Sequence, residues 1–493
     1  MSKRALAAVL VFMLTLSGCS IHKVQRVPLA SVPHPEKEMV VGITTLKGDD
    51  VSFDPPGAKI AENTLSGSVK KSPYTIPMAD VQRLWVERKE ASTARTVGLV
   101  AAVAVGTVLV IAAVVAATKQ SCPFVYSWNG SKYVFDAEPY GGAIAQGLEK
   151  DDYSELGQLR EENGVYKIRV TNEVDETQMT NLTELWVVDH PSGTRVIPDI
   201  QGKLHTISSP YAPLTARDAS GNDLLPWLRA TDRLIWEPSS VPDANGGLQG
   251  EITMTFPKPE GASEVKLIAN AATGLWGSYM IKKMVELRGR EVNNWYKTIN
   301  ESKEARDALF AWEVREQLYA LKIYVEEPTG WNVRGILPGT GPFISKDRIV
   351  PLDLSHVPGN QVRIRIQPPA GFWALNSFAV DYSKDAPLSV RTVTPSAAQE
   401  PGGKDVLPEL TSVDDRYLEM PNIGDTADVT FHAPASTPHT KRTVFLHSRG
   451  FYKLHILQNG NPDAKTLEAI ENVPGAAARF AAEGFSQWQV ASR

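Results

Sequence analysis

The stretch Leu16-Ser17-Gly18-Cys19 constrains this chain more than any other, because it ends a segment with the physical parts of an export signal. Ser2-Lys3-Arg4 supplies a positive start, and Ala5 to Leu16 forms a 12-residue apolar run that stops at small residues before a cysteine. A run of that length suits a signal better than a membrane span. Everything downstream is therefore expected to fold outside the cytoplasm. Of 493 residues only Cys19 and Cys122 are cysteines, and Cys122, beside Pro123, reads as a small buried residue.

Those four residues resemble the lipobox of bacterial lipoproteins. The resemblance implies cleavage before Cys19, lipidation of its thiol, residues 1–18 as signal peptide, and palmitate among the acyl groups. An anchor of several acyl chains holds firmly, at about 0.8 kcal/mol per buried CH₂. Ser20 stands where an Asp tends to retain such proteins at the inner membrane, which implies the outer membrane as destination. With Cys19 acylated no intrachain disulfide remains, and the fold must hold through its core. A 42% hydrophobic, 22% charged composition fits folded globular domains, and a net charge of −5 without a basic cluster gives no footprint for nucleic acid.

Val97 to Ala117 is a 21-residue uncharged stretch, long enough for a membrane span, yet it is built mainly of Ala and Val. Gly98, Ala102 and Gly106 repeat every four positions, a spacing that permits close helix packing and self-association. A single span there would return the rest of the chain to the cytoplasm, in conflict with a lipidated Cys19. We therefore expect an apolar membrane-associated helix over 96–118.

Around it the pattern reads as strands. Residues 19–95 form a small β module of the SH3 or Sm-like barrel kind, with strands at Met39 to Ile43, Thr64 to Val69, Tyr74 to Pro77 and Val81 to Val86. Residues 119–250 begin with a hairpin at Asn129-Gly130 and continue as a β-rich domain. Residues 251–394 read as a jelly-roll-like β-sandwich with a helical insertion over 275–318. There Trp276, Tyr279, Met280, Met284 and Leu287, then Ala308, Leu309, Trp312 and Leu318, recur at helical spacing, with a break at Arg288-Gly289-Arg290. That stripe is expected to be core. Pro395 to Leu410 reads as a linker or long loop, and 411–493 as terminal strands and a helix interrupted at Gly475. The fold class is mainly β throughout.

Chemistry is sparse. No nucleophile elbow, zinc-helix motif, phosphate loop or Cys-x-x-Cys pair occurs, and no cofactor or metal is expected. His432, His439, His447 and His455 crowd the last quarter, with a turn at Arg449-Gly450 that would bring the last two across a hairpin. Asp218 to Asp223 reads as a hairpin turn rather than a calcium loop. Asp136 with Glu138, and Asp151 with Asp152, flank Tyr140-Gly141-Gly142. Phe372 and Trp373 resemble, with the strands around them, the closing part of galactose-binding-like jelly rolls, which implies possible glycan contact. The expected function is a non-enzymatic envelope lipoprotein that binds or scaffolds, with the membrane, a second copy or an envelope protein as partner. The alternative is a surface glycan-binding or glycan-processing protein, supported by eleven tryptophans.

Overall fold

The computed structural model describes residues 22–89 and 123–491, apart from 30–31, 33–34, 48, 55, 62, 233 and 239–246. Cys19, Cys122, Gly98, Ala102 and Gly106 lie outside the described residues. The chain divides into two compact units, an N-terminal module and a larger body.

In the module, a four-stranded antiparallel sheet runs His22–Pro28, Val81–Lys89, Met39–Thr45, Asp50–Ser52, and a three-stranded meander runs Lys59–Ala61, Thr64–Val69, Ser72–Pro77. Both sheets close on one core of Val40, Ile43, Leu65, Leu84 and Val86, all fully buried. Gly42 sits at a bulge where a Cβ would lie 2.3 Å from the Trp85 ring, so only glycine lets that indole cross the strand. The strands expected from alternation are present.

The body contains two β-sandwiches. In the first, the sheet Lys150–Glu155, Thr440–Leu454, Glu176–Pro191, Ser389–Val393 faces the sheet Ala397–Gln399, Thr426–His432, Val165–Thr171, Phe124–Trp128, Tyr133–Ala137. Leu185, Val187 and Leu446 meet Ile168, Val429 and Phe431 between them. In the second, five strands (Thr215–Asp218, Ile252–Pro257, Gln361–Ile366, Ala320–Glu327, Gly330–Pro338) face three (Lys346–Asp353, Glu264–Thr273, Trp373–Asp381). Period-two alternation builds this core directly. Val362, Ile364 and Ile366 point inward, while Arg363 and Arg365 point outward over the Trp331 ring.

Between the sandwiches of this body, Lys346 is buried and its ammonium donates to Asp152 Oδ1 at 3.0 Å, Ser154 Oγ at 2.7 Å and the Glu138 carbonyl at 3.0 Å. Burial opposes the charge on Asp152, but Lys346 and Arg348 hold its carboxyl well below the usual range.

Among the described residues, five helices of 9 residues or more pack with the body: α1 Leu275–Glu286, α2 Val292–Glu301, α3 Lys303–Glu316, α4 Ala464–Asn472 and α5 Ala476–Ala491. The break at Arg288-Gly289-Arg290 is present, with Gly289 at φ +49° against the Gly460 carbonyl. A second break at Ser302 divides the expected second helix, because its hydroxyl accepts from the Ala305 N–H and caps α3. Ile470, Ala477 and Ala481 of the tail helices enter the core of the second sandwich.

Several expectations are corrected. Among the described residues no helix is long and apolar enough to cross a membrane, so the membrane-type helix is no part of the described fold, and its expected range, 96–118, lies outside it. Residues 411–493 are not a separate module, since Thr426–His432 pairs with Val165–Thr171 and Thr440–Leu454 with Glu176–Pro191. The expected linker is packed: Ala398, Val406 and Leu410 are buried in the first sandwich, and the Gly402-Gly403 turn is its exposed tip. Arg449-Gly450 is no turn but lies within one long strand, where a Cβ on Gly450 would sit 2.3 Å from the Met179 carbonyl.

Removing one partner of a buried ion pair strands the other charge. Lys346→Ala is expected to cost about 3 kcal/mol or more in urea unfolding of the full chain, and a loss below about 1 kcal/mol would contradict the role assigned to the pair.

Candidate functional site

The fold disperses the residues singled out from sequence. Phe372 and Trp373 are fully buried in the second sandwich, and the Trp373 indole N–H donates to the Gln317 carbonyl at 2.7 Å. Neither ring faces a glycan; both are core. Strand alternation sends Asp151 and Asp152 to opposite faces, Asp151 toward His447 and Arg449, Asp152 toward Lys346. Asp136 accepts from the Gln158 N–H, and the buried Glu138 accepts from the Phe343 N–H. The Asp218 carboxylate is occupied by its own turn, accepting from the N–H groups of Ser220 and Asn222 and from the Asn222 amide.

The clustered histidines do not converge. His447 donates from Nδ1 to Glu184 at 2.8 Å and from Nε2 to Asp151 at 2.9 Å, and stacks on Tyr153 with ring centres 4.7 Å apart. Both acceptors are carboxylates, which favour the doubly protonated ring; burial opposes the charge, but the two acids raise its pKa overall. His455 pairs instead with Asp175 and Thr177. Among the described residues no group of three or more His, Cys, Asp and Glu side chains is placed to hold a metal ion.

What the fold does assemble is a cavity of about 390 Å³ within the helical insertion. Its walls are Ile281, Met284 and Val285 of α1, Trp295 and Ile299 of α2, Ala305, Leu309 and Trp312 of α3, Leu467 and Ile470 of α4, and Ile144 and Leu148 of the loop that follows Tyr140. Three contacts hold these walls in place. The Trp312 indole donates to the Ile470 carbonyl at 2.8 Å, fastening α4 to α3. The Gly147 N–H donates to Asn300 Oδ1 at 2.9 Å, and a Cβ there would lie 2.3 Å from the Ile299 carbonyl, so the loop runs flush against α2. Lys150 Nζ donates to the Gly141 carbonyl at 2.6 Å and closes the base of that loop.

Two charged groups of this lining differ sharply. Arg288 stacks on Trp295 at 4.9 Å and donates to Glu471 at 3.3 Å, so its charge is matched. Glu313, on α3 between Leu309 and the end of the helix, makes no side-chain hydrogen bond or ion pair among the described residues. Burial pushes its carboxyl up to about 7, against the weaker pull of Lys150. The apolar stripe of 308–318 was legible in sequence, but its reading as core missed this acid inside it. The one available signal was a glutamate four residues after Leu309, on the same helical face.

The Glu313 pKa makes a signed prediction. The folded state holds the proton up to about pH 7 while the unfolded chain releases it near 4.5, so stability falls as pH rises between those values and is flat above them. Glu313→Gln is expected to make that slope shallower, leaving the share of the buried Glu176, whose carboxyl is raised to about 8, and to gain on the order of 2 kcal/mol at pH 8. Denaturant unfolding across this range checks it, and an unchanged slope would count against a desolvated carboxyl.

No family model matches the chain, and no curated protein matches it. A solved β-porphyranase of glycoside hydrolase family 86, from the human gut bacterium Bacteroides plebeius, is 10% identical over 47% of this chain and 37% of its own, with a TM-score of 0.15. The chain thus spans well under half of that enzyme, and a likeness so distant assigns neither fold nor activity.

Proposed function

We propose that this chain is a non-enzymatic envelope lipoprotein, anchored through Cys19, that binds an apolar ligand in the helix-lined cavity. The observation that carries the reading is the cavity itself. Its volume lies in the range of small-molecule sites, roughly 300–1,000 Å³, and apolar walls surround few polar groups, as such sites require. Cavities lined by Leu and Ile reduce stability in proportion to their volume, so a chain that keeps one open forgoes packing that a simple core would have had. A membrane-tethered position would bring the cavity close to hydrophobic molecules. The glycan alternative loses its named residues, because Phe372 and Trp373 are core.

Binding is tested with the neutral fluorescent probe N-phenyl-1-naphthylamine. The full chain is expected to bind it, and Ala305→Phe, which projects a ring into the lining, is expected to weaken it at least tenfold with an unchanged circular dichroism spectrum. Absent binding by the wild type, or equal binding by the folded variant, would overturn the reading. The anchor is tested separately by mass spectrometry of the amino-terminal peptide and by fractionation. Cys19→Ala should lose the acyl mass and leave the membrane fraction; a wild type with an unmodified Cys19 would refute the anchor.

A further inference from the structure

Of the charged groups that line the helical cavity, Glu313 stands out as an acid with no hydrogen bond or ion pair among the described residues. The open polar cleft around His205 is different. There His205 already pairs with Asp199 at 3.2 Å and Asp385 at 3.0 Å, and Lys266 with Asp385 at 3.1 Å, so its charged centre is satisfied from within. In the helical cavity the cation Arg288 pairs with Glu471 and stacks on the Trp295 ring, with its buried Nε left without a hydrogen bond. The charged group left without a bonded partner in this lining is the acid Glu313, which feels only the weaker pull of Lys150.

Resting on the reading of the cavity as a ligand site, we propose that its occupant is an alkyl-chain amphiphile with a cationic amine head, the ammonium pairing with Glu313 and the chain lying against Ile281, Leu309 and Ile470. A carboxylate in apolar surroundings is unfavourable alone and strongly favoured by a cation brought into contact with it. Trp312 in the same lining adds aromatic surface that attracts an ammonium. A carboxylic acid head would meet Glu313 and Glu471 of the same lining as like charges. The charged groups around the head-group position are Glu313, Arg288 and Glu471 of the lining and Lys150 beneath it. Near neutral pH part of the Glu313 population is protonated, so capture of an ammonium releases a proton and tightens as the pH is raised through 7.

Competition against the naphthylamine probe, at pH 8 and below micelle-forming concentrations, tests the head group. Dodecylamine, dodecanol and dodecanoate are compared on the full-length wild type and on Glu313→Gln. The wild type is expected to bind dodecylamine at least tenfold more tightly than dodecanol, and dodecanoate no more tightly than dodecanol. Glu313→Gln should bring the amine to the level of the alcohol while dodecanol affinity stays within about twofold. Equal affinity for amine and alcohol in the wild type, or an amine preference that survives Glu313→Gln, overturns the head-group assignment while leaving the cavity as a ligand site. Failure of all three to displace the probe overturns the cavity reading and the head-group assignment together.

Discussion

The ion pair between Lys346 and Asp152 is the point on which the body of this protein turns. Asp152 belongs to a strand of the first sandwich and Lys346 to a strand of the second, so their contact fixes one sandwich against the other. The third bond of the same ammonium, to the Glu138 carbonyl, secures the start of the loop that carries Ile144 and Leu148 to the cavity wall. Two glycines permit the approach: a Cβ on Gly341 would lie 2.0 Å from the Glu138 carboxyl carbon, and one on Gly141 would lie 2.9 Å from the Gly341 nitrogen. A buried pair of this kind contributes little net stability over an apolar replacement, but it specifies one arrangement among many.

From that fixed frame the helical insertion follows. α1 leaves the second sandwich after Thr273, with Met280 and Met284 in its core, and α3 returns at Gln317, where a left-handed residue ends the helix. α2 bridges them over the loop after Tyr140. Three helices joined by two tight breaks cannot all press their apolar faces onto the same sheet surface. The space left between them and α4 is the cavity, and Glu313 is one of the few polar groups in its lining. Architecture and binding are thus one problem here, since the connections that end each helix also hold the walls apart.

How much of this was legible in the sequence depended on whether the governing interaction was local. Period-two runs such as Val362-Arg363-Ile364-Arg365-Ile366 declare both strand and buried face, and Gly475, at φ +75°, divides the tail helices as expected. Asn129 also ends its strand as read, although its carboxamide oxygen organises a four-residue loop by accepting from the Ser131 and Lys132 N–H groups. Long-range contacts were hidden. Nothing near Gly450 in the chain reveals that Met179 presses against it, and nothing near Pro395 to Leu410 shows that Ala398 and Leu410 lie in a core built from Val165–Thr171 and Thr426–His432. A stripe of Ala308, Leu309 and Trp312 has the same period whether it meets a sheet or an open space. Phe372 and Trp373 show the converse error, because aromatic residues beside a glycine turn resemble a ligand platform until burial is known.

The most direct test of the account is a crystal structure of the protein grown with dodecylamine. The account predicts electron density for the chain between α1, α3 and α4, with the amine nitrogen within hydrogen-bonding distance of the Glu313 carboxylate. An empty cavity at saturating ligand, or an amine lodged elsewhere with Glu313 facing solvent, would contradict it.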